Sequence, residues 1–291
     1  METYTIQNDY LKIIVSTAGA EIISIIDSSD NELIWQADPN IWGRHAPVLF
    51  PIVGRLNDDH YYYQEKKYDM SQHGFARDRT FSVDSANDNK LILELVDDEE
   101  TLKIYPFHFQ LQVIYQLVKD TLQISYVVNN RSQSEPMYFS IGAHPGFSVP
   151  FESGLNYQDY HVSLTPQVTR PRITLRENNI DLSQEKRVDD QDFDLDHQVF
   201  VDDALIYSLS EPTVVTISNN KDQRTINLDT GNARFVGIWS QYPEEGNFVC
   251  IEPWWGIADK IDTDHQLTHK YGINELDPTE KFEAYYSISF K

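Results

Sequence analysis

Gln110-Leu111-Gln112-Val113-Ile114-Tyr115 is followed, across Lys119-Asp120, by Thr121-Leu122-Gln123-Ile124-Ser125-Tyr126-Val127, and this pair of segments decides the fold class. Side chains of a strand point alternately to opposite faces, so an apolar residue at every second position marks a strand with one buried face. Lys119-Asp120 then reads as the tight turn of an antiparallel hairpin. The same period-two pattern returns at Tyr10 to Val15, Glu21 to Ile26, Leu91 to Leu95, Thr213 to Ile217, Thr225 to Leu228 and Ala284 to Phe290. Amphipathic helical patterns are scarce, and the best, Asp98 to Ile104, spans about two turns. Many closely spaced strands with few helices predict an all-β sandwich or barrel.

The chain has the material for a large core: 40% of its 291 residues are hydrophobic, including 17 Tyr, 14 Phe and 5 Trp. No Pro/Ser-rich linker, tandem repeat or composition boundary divides it, so a single domain over residues 1–291 is expected. The polar stretch from Gln167 to Gln198 reads as loops with short strands over the surface, of a length that often walls a binding cleft.

Charge and cysteine content narrow the partners and the compartment. A net charge of −23 leaves no basic surface to neutralise phosphates, so nucleic acid is excluded as a partner and anionic membranes are disfavoured. Runs such as Asp97-Asp98-Glu99-Glu100 read as a solvated acidic surface. Met1-Glu2-Thr3-Tyr4-Thr5-Ile6 lacks the basic and apolar regions of a signal peptide, and no stretch approaches the about 18 apolar residues of a membrane helix. One cysteine, Cys250, rules out an intramolecular disulfide and fits a reducing compartment, so a soluble cytoplasmic protein is expected.

Three segments carry chemistry. In Phe248-Val249-Cys250-Ile251-Glu252-Pro253-Trp254-Trp255 the first five residues read as a buried strand whose ladder Pro253 should end. Glu252 would share a face with Cys250 and Phe248, partly desolvated and usable as a base near neutral pH. The alternative is a glutamate at a strand end that reaches water. In Met137-Tyr138-Phe139-Ser140-Ile141-Gly142-Ala143-His144-Pro145-Gly146-Phe147, His144 is in phase with Ser140 and Gly142, whose small side chains would leave open space beside the imidazole. Histidine titrates near neutrality, which suits a proton donor; a structural histidine bonded to a carbonyl is the alternative. In the third, Leu49-Phe50-Pro51-Ile52-Val53-Gly54-Arg55 and Ser71-Gln72-His73-Gly74-Phe75-Ala76-Arg77, arginines and histidines beside glycines suit hydrogen bonds to hydroxyls in a cleft, or structural ion pairs.

Taken together, these motifs resemble the aldose 1-epimerase (galactose mutarotase-like) family, closest to its LacX-like branch. The resemblance rests on order: Phe50-Pro51-Ile52-Val53-Gly54-Arg55, Gln72-His73-Gly74-Phe75-Ala76-Arg77, Gly142-Ala143-His144-Pro145-Gly146-Phe147, Asp203-Ala204-Leu205-Ile206 and Cys250-Ile251-Glu252-Pro253-Trp254. It implies a β-supersandwich and the interconversion of sugar anomers. By position, His144 matches the histidine that protonates the ring oxygen and Glu252 the base that removes the C1 hydroxyl proton. His73 matches a second active-site histidine, and Arg55 and Asp203 match substrate-binding residues. The family's Gly-Arg-x-Ala-Asn-Arg is replaced here by Gly54-Arg55-Leu56-Asn57-Asp58, a departure from the galactose-specific pattern. His73-Gly74-Phe75-Ala76-Arg77 resembles the related hexose-6-phosphate epimerases, in which the arginine lies near the phosphate.

A sugar substrate needs no nicotinamide for this chemistry, and no Gly-x-Gly-x-x-Gly occurs, so no cofactor is expected. Asp264, His265 and His269 match no zinc spacing, so no metal is expected either. Cys250 reads as an inert, strand-buried thiol. Trp239, Trp254, Trp255 and Phe147 are candidates to stack on a sugar, with core packing expected for at least two. Arg44, Arg55, Arg77 and Arg79 read as surface ion pairs or, for two or three of them, as a pocket for a sugar phosphate. Hexose-6-phosphate epimerase and non-catalytic sugar binding are the competing readings. A glycoside hydrolase would use two carboxylates rather than a histidine and a glutamate.

Overall fold

The computed structural model describes residues 2–189, 192–221 and 223–291. Among them, two large sheets built from antiparallel pairings dominate. The first holds nine strands in the order Asp192–Asp194, Tyr160–Thr165, Val214–Asn219, Ile226–Asp229, Lys281–Phe290, Thr121–Asn130, Phe109–Val118, Lys90–Val96 and Ser82–Asn87. The second runs Asn179–Val188, Arg170–Arg176, Leu205–Ser208, Phe235–Trp239, Phe248–Trp255, Ile141–Ala143 and Val48–Leu49. Gly146–Ser148 also pairs with Phe248–Trp255. A three-stranded sheet, Thr3–Gln7, Leu11–Ser16 and Ile22–Asp27, holds the N-terminal region. The fold is all-β, with two large sheets packed face to face, which agrees with the β-supersandwich that the resemblance implies.

The hairpin that decides the fold class explains the core. Phe109, Leu111, Val113 and Tyr115 alternate with Gln110, Gln112 and Ile114, and only the first set is fully buried. Leu122, Ile124, Tyr126 and Val128 do the same on the partner strand. Lys119 turns the chain at φ 55°. Each of these side chains contributes about 1.5–3 kcal/mol by leaving water. The buried face meets the second sheet: the Tyr126 ring sits edge-on to Trp255 with centroids 6.1 Å apart.

The helix forms at Glu99–Ile104, where Asp98 caps it by accepting from the Thr101 N–H at 2.7 Å. The acidic run is therefore more than a solvated surface. Besides the Asp98 cap, the Asp97 side chain is buried against His108 at 2.7 Å and Arg131 at 3.2 Å. The stretch from Gln167 to Gln198 does hold strands, but longer and more regular ones than short strands among loops. It holds a hairpin, Arg170–Arg176 with Asn179–Val188, at the edge of the second sheet; Asp190 and Gln191 lie outside the described residues. The polar exposed face hides the length of these strands, so the stretch reads as short strands among loops. No helix among the described residues is long and apolar enough to cross a membrane.

Candidate functional site

The site grows from Phe248–Trp255, whose eight residues are all buried because both faces of the strand are covered. Val249, Ile251 and Trp255 join the main core, while Trp254 enters a second apolar cluster with Leu49, Val53, Ile206, Phe235 and Ile257 on the opposite face. Alternation puts Cys250 and Glu252 on that second face. Pro253 does not end the strand, contrary to expectation. The Arg234 N–H donates to Trp254 O, so the Pro253 peptide nitrogen faces the other neighbour. There the ladder is already interrupted, between Ile141–Ala143 and Gly146–Ser148, and no N–H is required.

His144 occupies that interruption. Gly142 does not leave open space beside it: a Cβ on Gly142 would lie 2.7 Å from Trp254 Cδ1, so the indole fills the slot. Ser140 likewise packs on Gly256. The imidazole is instead walled by Trp42, stacked on it at 4.9 Å, and by Trp239, edge-on at 5.6 Å. His144 Nε2 lies 3.2 Å from Glu252 Oε2, across the gap in the ladder. The two are in contact without being aligned as a hydrogen bond, and Glu252 Oε2 and His144 Nδ1 have no other partner.

The Gln72–Arg77 segment docks on the Phe50–Gly54 turn. Phe50 O accepts the N–H groups of Phe75 and Ala76, each at 3.0 Å. Gly74 must be glycine here: its φ is 70°, and a Cβ would lie 2.3 Å from Phe50 O. His73 Nδ1 accepts the Gly54 N–H at 3.1 Å, which leaves the ring proton of the neutral imidazole on Nε2. The His73 and His144 rings meet edge-on at 5.6 Å.

All six predicted site residues, Arg55, His73, Arg77, His144, Asp203 and Glu252, line one cavity of about 490 Å³. Its arginines are not free charges. Arg55 donates Nε and Nη2 to the two oxygens of Asp59, at 2.7 and 2.8 Å. Arg77 gives Nη2 to Gln72 O at 2.7 Å, while its buried Nε has no hydrogen-bond partner. Outside the cavity, Arg44 pairs with Asp78 and Arg79 lies 3.7 Å from Asp98. Asp203 holds φ 78° and accepts the Ala204 N–H at 2.7 Å.

Burial governs the electrostatics. Loss of water raises the Glu252 carboxyl well above its ordinary value, and the neighbouring Asp203 carboxylate adds to the rise. The same desolvation pushes His144 down to about 3 and lowers His73, with His144 and Arg77 as further causes for the latter. Asp203 is raised by burial against the pull of its backbone hydrogen bond. The His144–Glu252 pair therefore favours its uncharged form until a polar ligand enters.

One convergent group of metal-type ligand atoms occurs among the described residues: those of His144, Cys250 and Glu252 lie within 4.8 Å of one another. Burial holds the Cys250 thiol protonated, and a thiol ligates only as thiolate. Asp264 and His269 pair with each other at 2.7 Å, and His265 stacks on His60. Trp255 and Phe147 belong to the core, while Trp239 and Trp254 line the cavity. Sequence reasoning missed Trp42, Tyr242 and Gln241 in the lining. The signal for Trp42 is a large aromatic among turn formers, Asp38-Pro39-Asn40-Ile41-Trp42-Gly43.

Residues 2–272 match the model of the family described as aldose 1-epimerase. The chain belongs to the aldose 1-epimerase family. Its relatives include the plasmid-borne Protein LacX of Lactococcus lactis subsp. lactis, 28% identical with 99% of each chain covered. Among solved structures, the galactose mutarotase related enzyme of Lactobacillus acidophilus is 45% identical, with a TM-score of 0.98 over 100% of this chain and 97% of that one. A galactose mutarotase-like protein of Lactobacillus casei is 28% identical, with a TM-score of 0.91 over the whole of both chains. This aldose 1-epimerase family member thus shares the architecture of its relatives over essentially its full length.

Proposed function

We propose that this protein is an aldose 1-epimerase that interconverts the anomers of an unphosphorylated hexose, with Glu252 as base and His144 as acid. The observation that carries the reading is the buried His144–Glu252 contact of 3.2 Å inside the cavity. A pyranose opens when its C1 hydroxyl loses a proton and its ring oxygen gains one. The C1–ring oxygen bond breaks, C1=O forms, and rotation about C1–C2 precedes closure to the other anomer.

The proton inventory fits. An imidazolium–carboxylate pair holds one proton, and so does the neutral imidazole–carboxyl pair that burial favours. Ring opening converts the first into the second: the carboxylate takes the hydroxyl proton and the imidazolium gives its own to the ring oxygen. Closure runs the same transfers backwards. Sugar hydroxyls in the cleft supply the polar contacts that the ion-pair form needs, so substrate binding favours the reactive tautomer. General acid and base terms of this kind are each worth about 10²–10⁴-fold. His73, neutral with its proton on Nε2, is suited to donate a hydrogen bond to the sugar. Asp203 and Arg77 are the further polar groups on the cavity wall.

A neutral hexose is favoured over a 6-phosphate because Asp59 occupies the Arg55 fork and Asp203 brings negative charge to the same cavity. A dianion would meet that carboxylate and have to displace Asp59, although charge-assisted bidentate contacts act strongly at short range. The test is polarimetry of freshly dissolved aldoses and their 6-phosphates. Mutarotation of a free hexose by chelator-treated protein is expected. Strict dependence on an added metal or nicotinamide, or no acceleration of any aldose, would refute the proposal.

A further inference from the structure

We infer that Glu21, at the entrance of an N-terminal strand, is a positioning residue for the cavity: its carboxylate clamps the loop that seats Trp42 against His144. The inference rests on the proposed acid role of His144 for its kinetic consequences. Residues 36–47 contain no helix or strand, so Trp42 depends on specific anchors for its position. Glu21 Oε1 accepts two consecutive backbone N–H groups of that segment, from His45 at 2.8 Å and Ala46 at 3.0 Å. Trp35 Nε1 donates to Trp42 O at 2.8 Å, and the Gly146 N–H donates to His45 O at 2.9 Å.

Trp42 has little choice of seat once the loop is fixed. It stacks on His144 at 4.9 Å and on Phe248 at 5.3 Å, and meets Trp239 edge-on at 5.7 Å. A Cβ on Gly146 would lie 2.8 Å from Trp42 Cζ3, so the ring uses space that only glycine leaves. The indole covers one face of the imidazole and holds its plane for the Glu252 contact. Glu21 also carries a charge that Arg77 senses, and the Thr17–Glu21 turn touches the same segment: the Gly19 N–H donates to Arg79 O at 2.7 Å. The small N-terminal sheet is thereby tied to two walls of the cavity, and among the described residues its one buried carboxylate at that junction is the clamp.

The carboxylate does two separable things, accepting hydrogen bonds and carrying charge, and the variants separate them. Glu21→Gln keeps an oxygen that can accept both N–H groups and removes the charge. Glu21→Ala removes both. Glu21→Asp keeps the charge and withdraws the acceptor by one methylene, a milder form of the same test should Glu21→Ala fail to fold. Each is measured alone and combined with Trp42→Ala, by polarimetric kcat and KM and by NMR of histidine-labelled protein. The His144 signal is assigned by its loss in His144→Asn.

If Glu21 acts through Trp42, Glu21→Ala and Glu21→Asp lower kcat by about tenfold or more and KM less, and Glu21→Gln stays within about twofold. In the Trp42→Ala background the Glu21 substitutions then add less than about twofold, because residues acting as one unit are not additive. The upfield ring-current shift of the His144 ring protons is retained in Glu21→Gln and lost in Glu21→Ala, Glu21→Asp and Trp42→Ala. A His144 signal unmoved by Glu21→Ala or Glu21→Asp, or losses that multiply with Trp42→Ala, would overturn the inference. The NMR arm stands whether or not the wild-type protein turns over a sugar, so it is independent of the proposed activity.

Discussion

Trp254 shares its strand face with Glu252, and replacing Gly237 by alanine tests whether the indole is the template that holds the carboxylate. Gly237 stands opposite Glu252 in the ladder, so its substituent would project on the same face. There a Cβ would lie 2.6 Å from Trp254 Cη2 and 2.7 Å from Cζ2. Carbon atoms pack at about 3.5–4.0 Å, so the indole must retreat by about 1 Å. It packs among Leu49, Val53, Ile206 and Phe235 and also lines the cavity, so its retreat either disturbs those residues or moves the indole into the cavity. Overpacking of this kind costs about 1–3 kcal/mol, which lowers Tm by roughly 2–5 °C in a chain of this size. Catalysis should suffer more than stability, since about 1 Å of misplacement in a site costs on the order of 10²-fold. The assay is kcat/KM by polarimetry beside Tm by calorimetry, with Gly231→Ala as the control. A Cβ on Gly231 would collide with Tyr285 O at 2.0 Å, away from the cavity lining. Gly237→Ala should lose activity at a Tm where Gly231→Ala keeps it. A Gly237→Ala protein with reduced Tm and unchanged kcat/KM would refute the template role.

Glu252→Gln and His144→Asn should each lower kcat by at least about 100-fold with smaller changes in KM, and near-native turnover by both would remove the acid–base assignment. The pH profile of kcat/KM should be flat through 6.5. Burial defers a second proton on the pair to about pH 3 at His144 and defers loss of the shared proton upward at Glu252, so an inflection at the ordinary imidazole value would contradict it. Arg77→Ala should weaken free hexose and 6-phosphate alike. A preference of about tenfold or more for the phosphate that Arg77→Ala abolishes, roughly 1.4 kcal/mol, would overturn the neutral-sugar reading.

Much of this protein is local and therefore legible in its residues. Period-two burial at Phe109–Val118 and Thr121–Asn130 is a property of each strand, as is the phase that sets Glu252 opposite Val249 and Ile251. Motif order was enough to nominate Arg55, His73, Arg77, His144, Asp203 and Glu252, because each motif keeps its chemistry on a short stretch. Tertiary structure decided what those stretches do to one another. Pro253 stays in its strand because the neighbouring ladder breaks at His144, a fact held by a different segment. Gly142 offers no cavity because an indole from residue 254 lies over it. The Arg170–Arg176 and Asn179–Val188 hairpin read only as short strands among loops, because its exposed face is polar. Trp42 gave no periodic signal, and the period-two run that Glu21 opens says nothing of its clamp, since a stacked indole and a clamped loop depend on partners 102 and 24 residues away, beyond the reach of any local pattern. Periodicity records which way a side chain points; only the packed chain decides what is there to meet it.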